Sequence, residues 1–169
     1  MSPILAEWNT SDQASAMEAM IACCGARSWA AEMVARRPFP DPAGLSAAAD
    51  EVWSRMQESD WMEAFSCHPR IGERTVPHAT SQSAEWSRQE QSSTTTAKGE
   101  LLAQLAELNS AYEGRFGFTY IVCATGKTTD EMLAILKQRL ANDRETELRE
   151  AAEQQRQIMQ IRLRKWLAT

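Results

Sequence analysis

One of the two histidines in the chain, His68, stands directly before a proline in the run Phe65-Ser66-Cys67-His68-Pro69-Arg70-Ile71-Gly72. Proline biases the residue before it toward extended backbone, so His68 is predicted to leave the preceding helix and project from a bend. An imidazole held in that way suits proton transfer, because its unperturbed pKa of about 6.5 lets both forms exist near neutrality. A capping or surface histidine would satisfy the same residues. The second histidine, His78, has no such proline after it.

A second group lies in Ser83-Ala84-Glu85-Trp86-Ser87-Arg88-Gln89-Glu90-Gln91. If that run is helical, Ser87, Glu90 and Gln91 stand at i, i+3 and i+4, which puts a hydroxyl, a carboxylate and an amide on one face. The alternatives are a solvated face and a capping box beginning at Ser87. The second is the weaker, because a polar run follows Glu90 instead of an apolar one.

The third place is the carboxy-terminal helix predicted over 144–167. At 100° per residue, Leu148, Ala151, Ala152, Ile158, Met159, Leu163 and Trp166 share one side of it. Arg162 falls among them, Gln155 is the only other polar residue on the stripe, and Arg156 and Arg164 point to the flank or away. A charge buried without a partner would cost several kcal/mol, so Arg162 needs an acidic partner, a ligand or a route to water. A structural Arg–Glu pair or a snorkelling side chain meets that need as well as a ligand does. A histidine, a carboxylate and an inward arginine from three regions would suit a small anionic substrate if the fold brings them together.

The elements that must position these residues are helices. Apolar residues recur at helical spacing nearly throughout. Met17, Met20 and Ile21 predict a helix ending at Gly25, and Trp29, Met33 and Val34 predict another that Pro38 terminates. Two more are expected over 43–65, one over 100–113, and one over 129–141 opened by a capping box from Thr128 to Glu131. Between the last two lies the only β-like run, Arg115-Phe116-Gly117-Phe118-Thr119-Tyr120-Ile121-Val122-Cys123. One such run cannot make a sheet. The expectation is an all-α, single-domain helical bundle over 1–169 with one short, buried, extended segment near 116–124.

Composition removes several classes of function. With 169 residues, 43% hydrophobic and 24% charged, the chain has the make-up of one globular domain. Its net charge of −5, with basic residues scattered among acids, argues against nucleic acid. No stretch approaches the roughly 20 apolar residues that span a bilayer, and the first residues lack a signal-peptide layout, so no membrane association and a cytoplasmic location are expected. The four cysteines, Cys23, Cys24, Cys67 and Cys123, have no chelating spacing and are expected to be buried thiols. Neither they nor the histidines match a zinc site, so no metal is expected. Thr125-Gly126-Lys127-Thr128 imitates the end of a phosphate-binding loop, but the glycine that motif needs earlier would fall at position 121, which is isoleucine.

Taken in order, His68-Pro69-Arg70-Ile71-Gly72, Ser87-x-x-Glu90-Gln91, Phe116-Gly117-Phe118 with Ile121-Val122, Arg139-Leu140-x-Asn142 and Ile158-x-x-Ile161-Arg162-Leu163 resemble the OHCU decarboxylases. Cys23-Cys24-Gly25 and Arg37-Pro38-Phe39 extend the resemblance over nearly the whole chain. That family converts 2-oxo-4-hydroxy-4-carboxy-5-ureidoimidazoline to (S)-allantoin, the last step of urate degradation. The resemblance implies an all-helical enzyme, a carboxy-lyase without cofactor, assembled as a homodimer. It assigns catalysis to His68, Glu90 and Arg162, and substrate binding to Pro69, Ser87, Gln91 and backbone groups of Ile121, Val122 and Cys123. Some relatives are fused to the preceding hydrolase or end in a peroxisomal tripeptide; this chain ends Trp166-Leu167-Ala168-Thr169, which favours a stand-alone cytoplasmic enzyme. The substrate class is then a small ureidoimidazoline. The competing readings are an all-α protein-interaction module and a helical lyase or hydrolase acting on another ureido acid.

Overall fold

The structure, a computed structural model, describes residues 2–73, 80–92, 94 and 99–169. Among the described residues it is all-α. The helices are α1 (Pro3–Thr10), α2 (Gln13–Cys23), α3 (Arg27–Ala35), α4 (Pro42–Ser54), α5 (Glu58–Ser66), α6 (Ser81–Glu90), α7 (Gly99–Phe116), α8 (Thr129–Arg139) and α9 (Arg144–Leu167). None of them is long and apolar enough to cross a membrane. Two compact units emerge, one of Met1–Ala64 with Arg156–Thr169 and the other of Phe65–Gln155, so the boundary falls inside α5 and inside α9.

In the first unit the core is made by Leu5, Met20, Cys23, Trp29, Met33, Leu45, Met159 and Leu163, all at most 1% exposed. Helix α1 was not expected from the sequence. It is short, opens with proline at its first position, where the missing N–H costs nothing, and buries only Leu5 and Trp8. Trp8 stacks on Phe39 at 6.0 Å, and Asn9 bonds both backbone groups of Phe39, donating at 2.8 Å and accepting at 2.9 Å. Arg37 lies over the Trp8 ring and donates to the carbonyls of Trp8 (2.6 Å) and Ser11 (3.0 Å). The Arg37-Pro38-Phe39 motif therefore has a structural use, fastening α1 to the turn after α3. Helix α2 stops at Cys23, ahead of the expected Gly25.

The second unit carries the segment expected to be extended. Gly117 adopts φ +82, a conformation that glycine reaches without a Cβ penalty, and donates to the Glu113 carbonyl at 2.8 Å as α7 ends. From there to Ala124 the chain is neither helix nor strand, and it is buried at Phe118 and at 120–124. Tyr112, Phe116, Phe118 and Tyr120 pack ring on ring, with Tyr112–Phe116 centroids 4.7 Å apart and Phe65 joining Phe118 at 5.4 Å. Helix α8 opens with the expected capping box: Glu131 N–H donates to Thr128 Oγ1 at 3.1 Å, and Thr128 N–H to Glu131 Oε2 at 2.9 Å.

Below the segment sits a buried polar hub around Glu147, which is 0% exposed. Its Oε1 accepts from Tyr112 OH at 2.5 Å and from Arg139 Nε at 2.6 Å, and its Oε2 accepts from Asn142 Nδ2 at 3.0 Å. Arg139 Nη2 is also 2.5 Å from Oε1, at ion-pair distance but without the alignment of a hydrogen bond. Arg139 Nη1 donates to the Ile121 carbonyl, and its guanidinium lies 4.9 Å from the centre of the Tyr120 ring. Burial works against the charge on Arg139, but the hydrogen bond and charge of Glu147 outweigh it and hold its pKa above the ordinary value. Burial pushes the Tyr112 hydroxyl up as well, against the pull of Arg139.

Helix α9 has the boundaries predicted for it. Its buried stripe is broader in polar residues than expected: besides Gln155 and Arg162, Glu147 and Gln160 are buried. Glu147 is drawn in by the hub, and Gln160 by Ser46, whose Oγ is 2.7 Å from Gln160 Oε1, and by Asp50 at 2.8 Å. Trp166 is half-buried and Arg164 exposed. All four cysteines are free thiols, with Cys67 half-buried where full burial was expected.

Candidate active site

His68 leaves the end of α5, as the proline that follows it requires. Its N–H closes a turn on the Phe65 carbonyl at 3.1 Å, and the chain then runs through buried Pro69 into a second turn at Gly72, φ +95. Three residues, Asn109, Gln91 and Glu113, fix this loop from outside. Asn109 on α7 donates to the Ile71 carbonyl at 3.2 Å, Gly72 N–H donates to Gln91 Oε1 at 3.0 Å, and Arg70 grips Glu113 through Nε (2.7 Å) and Nη2 (2.6 Å). The fork from Arg70 keeps that guanidinium protonated by hydrogen bond first and charge second, although at its exposure the pair contributes no more than about 1 kcal/mol. The half-buried ring of His68 itself is held through Nε2, which is 2.6 Å from Gln155 Oε1 on α9.

Helix α6 starts at Ser81 with Thr80 as its cap, Ser83 N–H donating to Thr80 Oγ1 at 3.0 Å. Ser87 is therefore inside the helix, and the capping-box alternative for it is set aside. Nor is this face solvated: Ser87, Glu90 and Gln91 are 3%, 9% and 8% exposed. Gln91 is the carboxy-terminal cap of α6, its N–H donating to the Ser87 carbonyl at 3.1 Å while its side chain reaches Gly72. Thr94 closes the end of the helix by donating through Oγ1 to the Gln91 carbonyl at 2.8 Å.

A cavity of about 260 Å³ lies against these elements, with Pro69, Ser87 and Gln91 in its lining beside Gly72, Arg88 and Leu102. The structure thus brings three of the expected substrate-binding residues to one space. His68, Glu90 and the 121–123 run are in the same unit but not in that lining. Of the backbone groups in the run, Cys123 N–H donates to Gln154 Oε1 at 2.8 Å, the Cys123 carbonyl accepts from Lys127 Nζ at 2.7 Å, and Ile121 O accepts from Arg139. Lys127 thus serves the segment rather than a phosphate.

Arg162 belongs to the first unit, where it is 2% exposed on α9. Burial pushes the Cys23 thiol far up, and the nearby positive charge of Arg162 opposes that shift. His78 lies outside the described residues. Among the described residues no group of three His, Cys, Asp or Glu side chains could hold a metal ion.

Sequence reasoning missed Asn109 and the anchoring use of Arg70, neither of which has a local signal of its task. It noticed Gln155 as a polar residue on an apolar stripe without finding its partner.

The comparisons agree with one another. The family model described as OHCU decarboxylase matches residues 9–164. The uric acid degradation bifunctional protein TTL of Arabidopsis thaliana is 38% identical over 144 residues, covering 85% of this chain and 44% of its own length, so the chain spans under half of that relative. The 2-oxo-4-hydroxy-4-carboxy-5-ureidoimidazoline decarboxylase of Amia calva is 28% identical over 134 residues, 79% of this chain and 77% of that one. A crystal structure of an OHCU decarboxylase in the presence of (S)-allantoin superposes with a TM-score of 0.77 at 34% identity, covering 88% of this chain and 96% of that one.

Proposed function

Because the chain belongs to the OHCU decarboxylase family, we propose that it decarboxylates 2-oxo-4-hydroxy-4-carboxy-5-ureidoimidazoline to (S)-allantoin, the closing reaction of urate breakdown to allantoin. One observation carries this reading: the family match over 9–164 includes every residue assigned a role, from His68 to Arg162.

The substrate contains its own electron sink, since the carbon that loses CO₂ adjoins a C=N bond. The bond to the carboxylate breaks, its electron pair forms a C=C bond, and the C=N pair moves to nitrogen, which takes a proton. The hydroxyl of the resulting enediol-like species then gives its proton to His68 and becomes a carbonyl, while the adjoining carbon takes a proton on one face, which sets the S centre. A side chain with accessible neutral and protonated forms suits that exchange. Glu90, buried on α6, is assigned to the leaving carboxylate, where an ionised side chain would raise its energy and a protonated one would hydrogen-bond to it. Arg162 is assigned to paired oxygens of the ring or ureido group, which its planar donors suit. Pro69, Ser87, Gln91 and the backbone at Ile121, Val122 and Cys123 hold the rest. No cofactor is called for by this electron flow. The reading also makes the chain one catalytic domain, acting as a homodimer in the cytoplasm.

Freshly generated substrate tests it. Because the substrate also decays spontaneously to racemic allantoin, the enantiomeric excess is the quantity to follow: the S form should dominate, without added cofactor and after dialysis against a strong chelator. Racemic product at the background rate would refute the activity.

A further inference from the structure

The side chain that His68 touches is one the reaction scheme leaves unused. Gln155 is 0% exposed on α9, and its Oε1 is 2.6 Å from His68 Nε2. An amide oxygen can only accept, so this contact requires the hydrogen to be on His68 Nε2. A neutral imidazole carries one hydrogen, and Nδ1 is then the basic atom of the ring. The partner's neutrality matters too. A carboxylate in the same place would favour the imidazolium, whereas an amide orients the ring and leaves it able to accept a proton.

The other half of the same amide is a second observation. Gln155 Nε2 is buried and has no hydrogen-bond partner among the described residues. An unmatched buried donor is costly, and it sits on the carbon that carries the oxygen bonded to His68. An acceptor that satisfied it would lie beside the imidazole.

We propose that Gln155 is the positioning residue of His68: its carbonyl oxygen fixes the Nε2–H tautomer with Nδ1 as the base, and its amide nitrogen awaits an oxygen of the bound ureido compound. The inference rests on the reading of His68 as the proton acceptor, and it specifies which atom of that residue does the work. Rotating the amide would make Gln155 the donor and His68 Nε2 the acceptor, which demands the opposite tautomer. The two arrangements are therefore distinguishable by a measurement that does not depend on turnover.

The experiment is a long-range proton–nitrogen spectrum of histidine-labelled protein at alkaline pH, with His78→Asn leaving His68 as the single labelled ring. The expected result is a protonated, pyrrole-type Nε2 and a pyridine-type Nδ1. Gln155→Met, close in size and unable to accept the bond, should fold, lose the tautomer preference and lower kcat by roughly tenfold to a hundredfold, the range that loss of an orienting partner costs histidines at metal sites. In the parent, the side-chain amide signals of Gln155, assigned by their loss in that variant, should move downfield on addition of (S)-allantoin. A pyridine-type Nε2 in the parent overturns the proposal, as does a Gln155→Met protein with unchanged tautomer and kcat. Amide signals indifferent to (S)-allantoin overturn its donor half. An Nε2–H tautomer in a protein that produces only racemic allantoin would uphold the pairing and refute the reaction instead.

Discussion

Two groups of polar side chains lie in the unit 65–155, one buried around Glu147 and one around buried Ser87 and Gln91 with half-buried His68, and they are satisfied in different ways. At Glu147 both carboxylate oxygens are taken by Tyr112, Arg139 and Asn142, Arg139 Nη1 donates to the Ile121 carbonyl, and Arg139 Nη2 keeps only its ion-pair contact with Glu147. The charges close on each other and the space is filled with aromatic rings. Around His68 the bonds fix the backbone and one edge of the ring, leave the Gln155 amide nitrogen unmatched, and sit in the same unit as a cavity of about 260 Å³. Burial of polar groups is common to both, so burial does not mark function. What separates them is space: Pro69, Ser87 and Gln91 line a cavity, whereas the charges of the hub face each other and the aromatic rings. Substitution should then separate the two groups, one failing in activity and the other in stability.

The largest separation is expected at His68. Loss of a proton-transfer group costs typically 10²–10⁴-fold, or about 3–5 kcal/mol of activation free energy. His68→Asn should show that loss in kcat/KM with a thermal midpoint close to the parent's, because the ring is only half-buried and the loop is held by Asn109, Gln91 and Arg70. His78→Asn should match the parent in both. Equal losses in the two variants would mean that the wrong histidine has been assigned.

Glu147→Ala should do the reverse. Removing the carboxylate leaves Arg139 buried at 6% side-chain exposure without its counter-charge, which typically costs about 3–5 kcal/mol. The urea midpoint should fall accordingly while the folded protein keeps most of its kcat. The double variant Arg139→Met with Glu147→Leu removes both charges and should recover much of the loss. A double variant as unstable as the single one would show that the hub contributes through shape rather than charge.

These two groups were unequally visible in the sequence. Periodicity placed α9 from Arg144 to Leu167, and Thr128 with Glu131 announced the start of α8, because those signals lie within one turn of helix. The bend at His68 was legible for the same reason, being a constraint from the next residue. The hub was not. Arg139 and Asn142 stood in the family motif without a task, and Glu147 looked like one more acid in the charged first turns of α9. Their meeting depends on the chain turning between α8 and α9, and no local spacing encodes that. Helix α1 was missed because two buried side chains in eight residues give no periodic stripe. Gln155 shows the middle case: the wheel marks it as out of place, and only the tertiary structure supplies the histidine.

Arg162 asks which of the two kinds of burial a third polar group represents. It is 2% exposed, two residues from exposed Arg164 on the same helix. If it serves as the substrate anchor, Arg162→Met should lower kcat/KM by a few kcal/mol in transition-state terms, the scale of charge-assisted hydrogen bonds, and leave the thermal midpoint nearly in place. Arg164→Met should change neither. An Arg162→Met protein that unfolds early while its folded fraction remains fully active would put this residue with Glu147 as a structural charge, and the anchor would have to be sought elsewhere.

The smallest effect is at the start of the helix that links hub and site, and it concerns pH. Thr146 N–H donates to Asp143 Oδ1 at 2.8 Å and Thr146 Oγ1 to Oδ2 at 3.0 Å, bonds that hold the Asp143 carboxyl below its ordinary value of 3.8. Those bonds favour the ionised form, as does the positive end of α9. With the folded pKa below the unfolded one, the native state binds fewer protons than the unfolded chain as pH falls toward that range. The stabilisation is therefore complete above the unfolded value and is lost as pH falls through the folded one. Asp143→Asn keeps an oxygen that can cap the helix but cannot ionise. Its urea midpoint should lie slightly below the parent's near neutrality, and the gap should narrow toward zero as the two are compared at successively lower pH. Asp12, which caps α2 through Ser15 N–H at 3.0 Å and is likewise depressed, stays unchanged in both proteins and so cancels from the difference. A gap that keeps its size down to the most acid pH at which both proteins fold would show that Asp143 acts through cap geometry and not through its charge.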